Sequence, residues 1–390
     1  MADIYWYNRM RVSRGKTVLA RGEVKIEGEA EVLGAELGRF ISDKYVPIYC
    51  KGDCEIEVKG EYSIVDGRTI PESWEKLAEK DWDTLFIYGG TDSGKSTLAT
   101  YLANRTGGCY VLDLDIGQSD IAHPGAMGYG FVENCVSISQ AVMVNGFFAG
   151  VISPTGREVK CLRGVARLWR ELEKRKGRKI IDTTGWIKGA KAREYKLAKL
   201  EIVQPDLIAS FQPKPEFLKD WKIFEVEKGH VVERSREERS RMRAIRYARE
   251  LEGAEEVKAE VSKVTNTNLF SGKEIPKEFM EDVLECKVLS VRKGDDFLTI
   301  LAEKHVDVEV SMIKALKELY EVEDVYILGY EDLKGLVVGL YSGNRYLGMG
   351  LLKDIQNEWL ILETRHRYFD RVEFGEFRLF QGKEYIVRIP

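Results

Sequence analysis

Apolar and polar residues alternate along the first 70 positions, in "GEVKIEGEAEVLG" and again in "CEIEVKGEYSIV". A period of two with frequent glycine predicts strands that bury one face, hence a small antiparallel β domain over 1–80. "IPESWEKLAEKDW" reads as a helical connector at its end. From 81 to 252 short apolar runs alternate with helical patterns: "FIY", "GCYVLDLD", "AVMVNGFFAG", a helix over 157–176, "RKIIDTTG", a helix over 189–203, and "DLIASF". That succession predicts an α/β domain with a mainly parallel sheet. After "LEGAEEVKAEV" the text turns β-rich again, as in "LKGLVVGLYSGNRYLGMGLLKDIQNEWLILET". A third, mostly antiparallel domain is expected over 253–390.

The middle segment opens on "FIYGGTDSGKSTLATYLANR", in which Gly89, Gly94, Lys95 and Ser96 fit G-x-x-x-x-G-K-[ST] between an apolar strand and an amphipathic helix. Loop residues Gly89, Gly90, Thr91, Asp92, Ser93, Gly94, Lys95, Ser96 and Thr97 are therefore candidates to wrap a nucleotide polyphosphate. Backbone N–H groups and the helix N-terminus face the anion, Lys95 reaches the outer phosphates, and Ser96 holds Mg²⁺. The loop alone does not name the acceptor.

Composition narrows the classes. A chain of 390 residues can hold several domains. Its start carries no apolar signal core and no run reaches spanning length, so a cytoplasmic protein without a membrane partner is expected. Six dispersed cysteines favour buried thiols, and Cys50 and Cys54 alone make a weak metal signal. Charged residues form 32% of the chain and glutamine is rare, a bias found in thermophiles. A net charge of −4 excludes a generally basic coat, so an acidic partner must meet a local patch.

Such a patch is present. "ERSREERSRMRAIRYARE" packs Arg234, Arg236, Arg239, Arg241, Arg243, Arg246 and Arg249 together without a lysine. Ser235 and Glu238 form a capping box that starts a helix near Arg236, so Arg239, Arg243 and Arg246 share a face. Guanidinium forks suit the oxygens of a transferred phosphoryl group, which makes the helix a candidate lid; the alternative is a solvated face paired with Glu237, Glu238 and Glu250. Elsewhere "YVLDLDIGQSD" ends a strand in acid, and alternation puts Asp113 and Asp115 on one side. Either could hold Mg²⁺ or accept a proton, and Gln118 either orients substrate or is an ordinary loop residue. Trp186 follows Thr183, Thr184 and Gly185 at another strand end, as a platform for a base or as a core side chain.

Taken in order, "GGTDSGKST", "DLDIGQSDIAHPGAMG", "SPTG", "DTTGW" and the arginine-rich helix resemble the polynucleotide 5′-hydroxyl kinases, the family of eukaryotic mRNA cleavage-factor and ribosomal-RNA-processing kinases with archaeal relatives. The resemblance covers the whole middle domain and implies a P-loop kinase domain with β-rich flanks. It implies ATP on the phosphate loop through Lys95 and Ser96, and Asp115 as the residue serving Mg²⁺ and acceptor activation. It further implies Trp186 stacked on the terminal base, and Ser153 before Pro154 against the nucleic-acid backbone. Gln118 joins these as a substrate contact, and Arg234, Arg239 and Arg243 as the clamp, Arg234 by family position. Gly90 stands where the family has proline. The expected partner is RNA or DNA with a 5′-hydroxyl end, with RNA-processing proteins beside it. Two rivals stay open: a GTPase-type switch, suggested by "DTTG", and a nucleotide-bound scaffold without catalysis.

Overall fold

The structure is a computed structural model that describes residues 8–230 and 235–390. Strands β1 (Asn8–Val12), β2 (Lys16–Val32) and β3 (Arg39–Asp66) form an antiparallel sheet. β3 runs along both edges of β2: Val24 faces Phe40 on one side and Val58 on the other. The backbones cross closely at Gly22 and Gly60, where a Cβ would come 2.2 and 2.1 Å from the carbonyls of Lys59 and Arg21. Only glycine fits there. Cys50 and Cys54 lie buried in this core as free thiols. Burial pushes the Cys50 thiol up to about 12, which opposes the thiolate a metal needs.

The connector helix α1 (Glu72–Ala78) buries Trp74 and Leu77. The central sheet follows, interleaved with helices: β4 (Thr84–Tyr88), α2 (Lys95–Arg105), β5 (Cys109–Asp113), β6 (Ala126–Val132), β7 (Val142–Phe148), α3 (Glu158–Leu172), β8 (Lys179–Asp182), α4 (Ala190–Val203), β9 (Leu207–Ser210), β10 (Ile223–Glu225) and α5 (Arg236–Glu250). Its order is β10-β9-β4-β8-β5-β6-β7, parallel from β10 to β5 and antiparallel through β6 and β7. β8 is inserted between β4 and β5, so the carboxyl ends of all three strands open onto one crevice, where α/β sheets bind ligands. All residues of β4 and β8 are buried, including Thr84, Lys179 and Asp182 at the ends of their apolar centres.

C-terminal to α5 come β11 (Glu255–Glu260), β12 (Lys273–Glu274), α6 (Glu278–Leu284), β13 (Val288–Lys293), β14 (Phe297–Ala302), α7 (Val310–Tyr320), β15 (Asp324–Gly329), α8 (Tyr330–Leu333), β16 (Leu336–Ser342), β17 (Arg345–Gln356), β18 (Trp359–Thr364), β19 (Arg371–Phe380) and β20 (Lys383–Ile386). Six of these strands make an antiparallel sheet, β11-β18-β17-β16-β19-β20; four make a smaller one in which β14 and β15 run parallel. The larger sheet docks on β7 through aromatic rings. Tyr341 accepts the Phe148 N–H at 2.9 Å, and the His123 ring bonds the Tyr346 hydroxyl while its Nδ1 lies 2.8 Å from the Pro124 carbonyl.

Candidate active site

The phosphate loop is closed by its own residues. A Cβ on Gly89 would meet the Ser93 hydroxyl at 2.6 Å, and Asp92 and Gly94 take left-handed φ values of 52° and 97°. The loop thereby turns back on itself, and the Gly90 carbonyl receives both the Lys95 ammonium at 2.7 Å and the Ser93 hydroxyl at 2.9 Å. Gly90, where the family has proline, supplies that anchor through its carbonyl. α2 starts at Lys95 with no side-chain cap, leaving its first N–H groups to the crevice. Thr91 and Thr97 are exposed.

Beside the loop, the Ser96 hydroxyl donates to Asp182 Oδ2 at 2.7 Å. Asp182, the last residue of β8, is 2% exposed; burial pushes its carboxyl up to about 6 although Lys95 and Ser96 pull it down. Sequence reasoning met this residue only as the first of "DTTG", read for a GTPase-type switch, and did not assign it to the site. An apolar strand ending in aspartate next to the phosphate-loop strand was the signal that could have found it.

The two aspartates at the end of β5 and just beyond it differ in their surroundings. The strand ends at Asp113, so alternation does not carry to Asp115 and the expected shared side is corrected. Asp113 is buried and organises the following loop: its carboxylate accepts the N–H of Asp115 (3.0 Å) and Ile121 (3.1 Å), the N–H of Asp120, and the Ser119 hydroxyl (3.0 Å). Burial pushes its pKa up, reinforced by Asp182 and Asp120. Asp115 is half-buried at the crevice, with Oδ1 accepting the N–H groups of Gly117 and Gln118, each at 3.1 Å. A Cβ on Gly117 would touch the Ile152 carbonyl at 3.0 Å, so the Asp115 turn lies against the loop that carries Ser153. Ser153 is exposed and caps its own turn through the Thr155 N–H at 3.3 Å.

The Thr183–Trp186 segment is seated on the phosphate loop. A Cβ on Gly185 would fall 2.4–2.6 Å from Thr91, so glycine alone permits the contact. Trp186 is half-buried and tilted against Tyr195, with centroids 5.8 Å apart. It packs partly on the core and partly outside it, between the two sequence alternatives. Behind this segment Lys196 is wholly buried, donating to Thr183 Oγ1 at 2.8 Å and the Thr184 carbonyl at 2.6 Å. Burial first, then Lys199 and Lys95, hold its pKa well below the usual ammonium range. Lys196 is a positioning residue that sequence reasoning missed; a lysine in a helix reads as solvent-facing, and nothing local marks it otherwise.

Helix α5 begins as its sequence dictates: Ser235 accepts the Glu238 N–H at 3.1 Å and Glu238 accepts the Ser235 N–H at 2.7 Å. Its arginines then diverge. Arg239 reaches the phosphate loop and pairs with Asp92 at 2.9 Å, and its carbonyl lies 3.5 Å from Gln118 Nε2. Arg243 forks onto Glu384 of β20 at 2.6 and 2.8 Å, Arg246 binds Asp120, and Arg249 pairs with Asp43 at 3.2 Å. Each turn of helix advances about 5.4 Å, so one face spans the crevice and the C-terminal sheet in succession. The structure thus brings Arg239, and not Arg243, to the phosphate loop. The partners are carboxylates of other elements rather than the helix's own glutamates, so the solvated-face alternative does not describe it. Arg241 is exposed, and Arg234 lies outside the described residues.

Hard oxygen donors, one lysine and a half-exposed tryptophan thus surround one crevice. The family described as the mRNA cleavage and polyadenylation factor CLP1 P-loop matches residues 89–252. A polyribonucleotide 5′-hydroxyl-kinase of Pyrococcus horikoshii is 30% identical over 326 residues, covering 77% of this chain and 87% of the relative. One from Methanocaldococcus jannaschii is 28% identical over 326 residues, with 77% and 88% covered. Among solved structures, Clp1p in its complex with a Pcf11p fragment aligns over 96% of this chain and 98% of that one, with a TM-score of 0.63 at 12% identity, a likeness of fold. The chain belongs to the polyribonucleotide 5′-hydroxyl-kinase family.

Proposed function

We propose that this protein transfers the γ-phosphoryl group of ATP to the 5′-hydroxyl end of an RNA strand. The observation that carries the reading is the seating of Gly185 on Thr91, which sets a half-exposed tryptophan beside a formed phosphate loop. In this reading Lys95 leaves the Gly90 carbonyl for the outer phosphates, and the loop and α2 N–H groups hold the rest of the polyphosphate. Ser96 and Asp182, two oxygen donors in contact, would hold magnesium, and in this reading Asp115 would contribute through water. Magnesium would neutralise charge on the phosphate oxygens when bound.

On the acceptor side, Trp186 stacks on the terminal base, and Ser153 and Gln118 contact the strand. The 5′ oxygen attacks the γ-phosphorus as the bond to the β-bridging oxygen breaks; ADP departs, and the hydroxyl proton passes to Asp115, whose Oδ1 is held by two N–H groups. Arg239 swings from Asp92 to the equatorial oxygens. Mixing the purified protein with γ-labelled ATP and a 5′-hydroxyl oligoribonucleotide tests this. Label should appear at the 5′ end, and none should appear on a strand already 5′-phosphorylated. Nucleotide hydrolysis without transfer, or equal use of GTP by a switch that never labels RNA, would overturn it.

A further inference from the structure

A cavity of about 780 Å³ lies between the first turns of α3 and the edge of β19, within the size range of ligand sites. Five cationic side chains line it: Arg157, Lys160, Arg163, Arg167 and Arg371. Three carboxylates, Glu158, Glu373 and Glu376, stand among them, in a chain whose net charge is −4. Glu376 is committed to Arg157 at 2.6 Å, and Glu158 accepts the Gly156 N–H at 3.1 Å. Arg371 lies over the Tyr341 ring at 4.1 Å, and its Nε and Nη2 are buried without a hydrogen-bond partner; Glu373 is 3.6 Å away. Lys160 and Arg163 form no ion pair with a described residue, and burial holds the Lys160 ammonium below its ordinary range. Buried guanidinium donors left unmade are costly, and an anionic oxygen ligand would satisfy them.

The cavity begins next to the proposed acceptor contacts. Gly156 and Arg157 line it, three and four residues beyond Ser153, a reach of at most about 14 Å. The same loop lies against the Asp115 turn through Ile152. We propose that this cavity takes backbone phosphates of the acceptor strand, a few nucleotides 3′ of the hydroxyl that is phosphorylated. The proposal rests on the kinase reading and adds a second anchoring point shared between the central and C-terminal sheets. Short acceptors would use the crevice alone; longer strands would use both.

The test compares a 5′-hydroxyl dinucleotide with a strand of about ten nucleotides, longer than the shortest stretch that single-strand binding folds cover. Arg163→Gln, at an exposed position, and Lys160→Gln should each raise KM for the long strand by roughly threefold to tenfold. Each should also lower the salt dependence of its binding by about 0.7 in slope for every phosphate no longer neutralised. Turnover of the dinucleotide and KM for ATP should stay at wild-type values. Should Lys160→Gln fail to fold, Arg163→Gln decides. Equal effects on both acceptors, or none on either, would overturn the proposal, as would an acidic peptide whose binding follows Arg163 while RNA binding does not. If the wild type labels no RNA, the kinase reading fails by itself. Binding of a 3′-labelled, 5′-phosphorylated strand then decides the cavity, with an Arg163-dependent salt slope supporting it and an unchanged slope overturning it.

Discussion

The proposed donor and acceptor halves of the crevice are built differently. Donor contacts come from residues 89–97, consecutive in the chain, with Lys95 and Ser93 bonded inside the loop itself. Acceptor candidates come from three separate loops, at Asp115–Gln118, Ser153 and Thr183–Trp186, which meet through contacts distant in sequence: Gly117 against the Ile152 carbonyl, Gly185 against Thr91, and Lys196 on the Thr184 carbonyl. A site closed by local bonds tolerates change around it, whereas a site assembled from loops depends on its supports. Mutations should therefore separate into sharp losses on the donor side and graded, substrate-selective losses on the acceptor side.

The largest effect is expected from Lys95→Ala, which should abolish label transfer while circular dichroism and melting stay near wild type, since the lysine's hydrogen bond among the described residues goes to a loop carbonyl. Asp115→Asn should lower kcat by at least about a hundredfold, the range for losing a base or disturbing a metal site. Asp113→Asn acts on the support of the same loop: it replaces an acceptor of several hydrogen bonds and should show first as a loss of melting temperature. A reversed order of the two in turnover would break the distinction drawn between them.

Trp186→Ala should weaken the oligonucleotide by roughly 1–3 kcal/mol, alike for all terminal bases, with KM for ATP little changed. Parallel losses for both substrates would return Trp186 to the core. A finer division runs along α5. Arg239→Lys should reduce saturated turnover about tenfold, by loss of the planar fork at the phosphate loop. Arg243→Lys, part-buried on Glu384, should instead cost stability of about 1–2 kcal/mol with a smaller change in turnover. Similar turnover in the two variants would remove the residue-level content of the lid.

The smallest effect concerns the joint between the central and C-terminal sheets. His123 is wholly buried, and burial holds its pKa below the ordinary value. The unfolded chain therefore takes up the proton first, so this group's contribution is present above about pH 6.5 and is lost as pH falls below it. Melting temperatures followed from pH 7.5 to 5.5 should fall with a shallower slope in His123→Gln than in the wild type.

Much of this architecture is written locally. The alternation in 8–66, the phosphate loop, the bounds of α4 and the capping box of α5 all depend on neighbours in sequence, and the structure places each close to where the pattern put it. α3 ends four residues before the predicted 176, where apolar periodicity gives way to Lys174, Arg175 and Lys176. What could not be read depends on partners far along the chain. Lys196 is buried because Thr183 and Thr184 come back over α4. Arg243 leaves the crevice because Glu384 waits on a strand 141 residues later. β6 was hidden in "GAMGYGF", whose glycines weaken any strand pattern, yet Gly130 and Gly146 allow β6 and β7 to approach their neighbours.

A structure with a non-hydrolysable ATP analogue and a 5′-hydroxyl oligoribonucleotide bound together tests most directly whether the two halves meet. The γ-phosphate should lie on Lys95, the terminal base should stack on Trp186, and the 5′ oxygen should come within hydrogen-bond reach of the Asp115 carboxylate. A strand bound away from the crevice, or a 5′ end out of reach of Asp115 while the nucleotide occupies the loop, would contradict it.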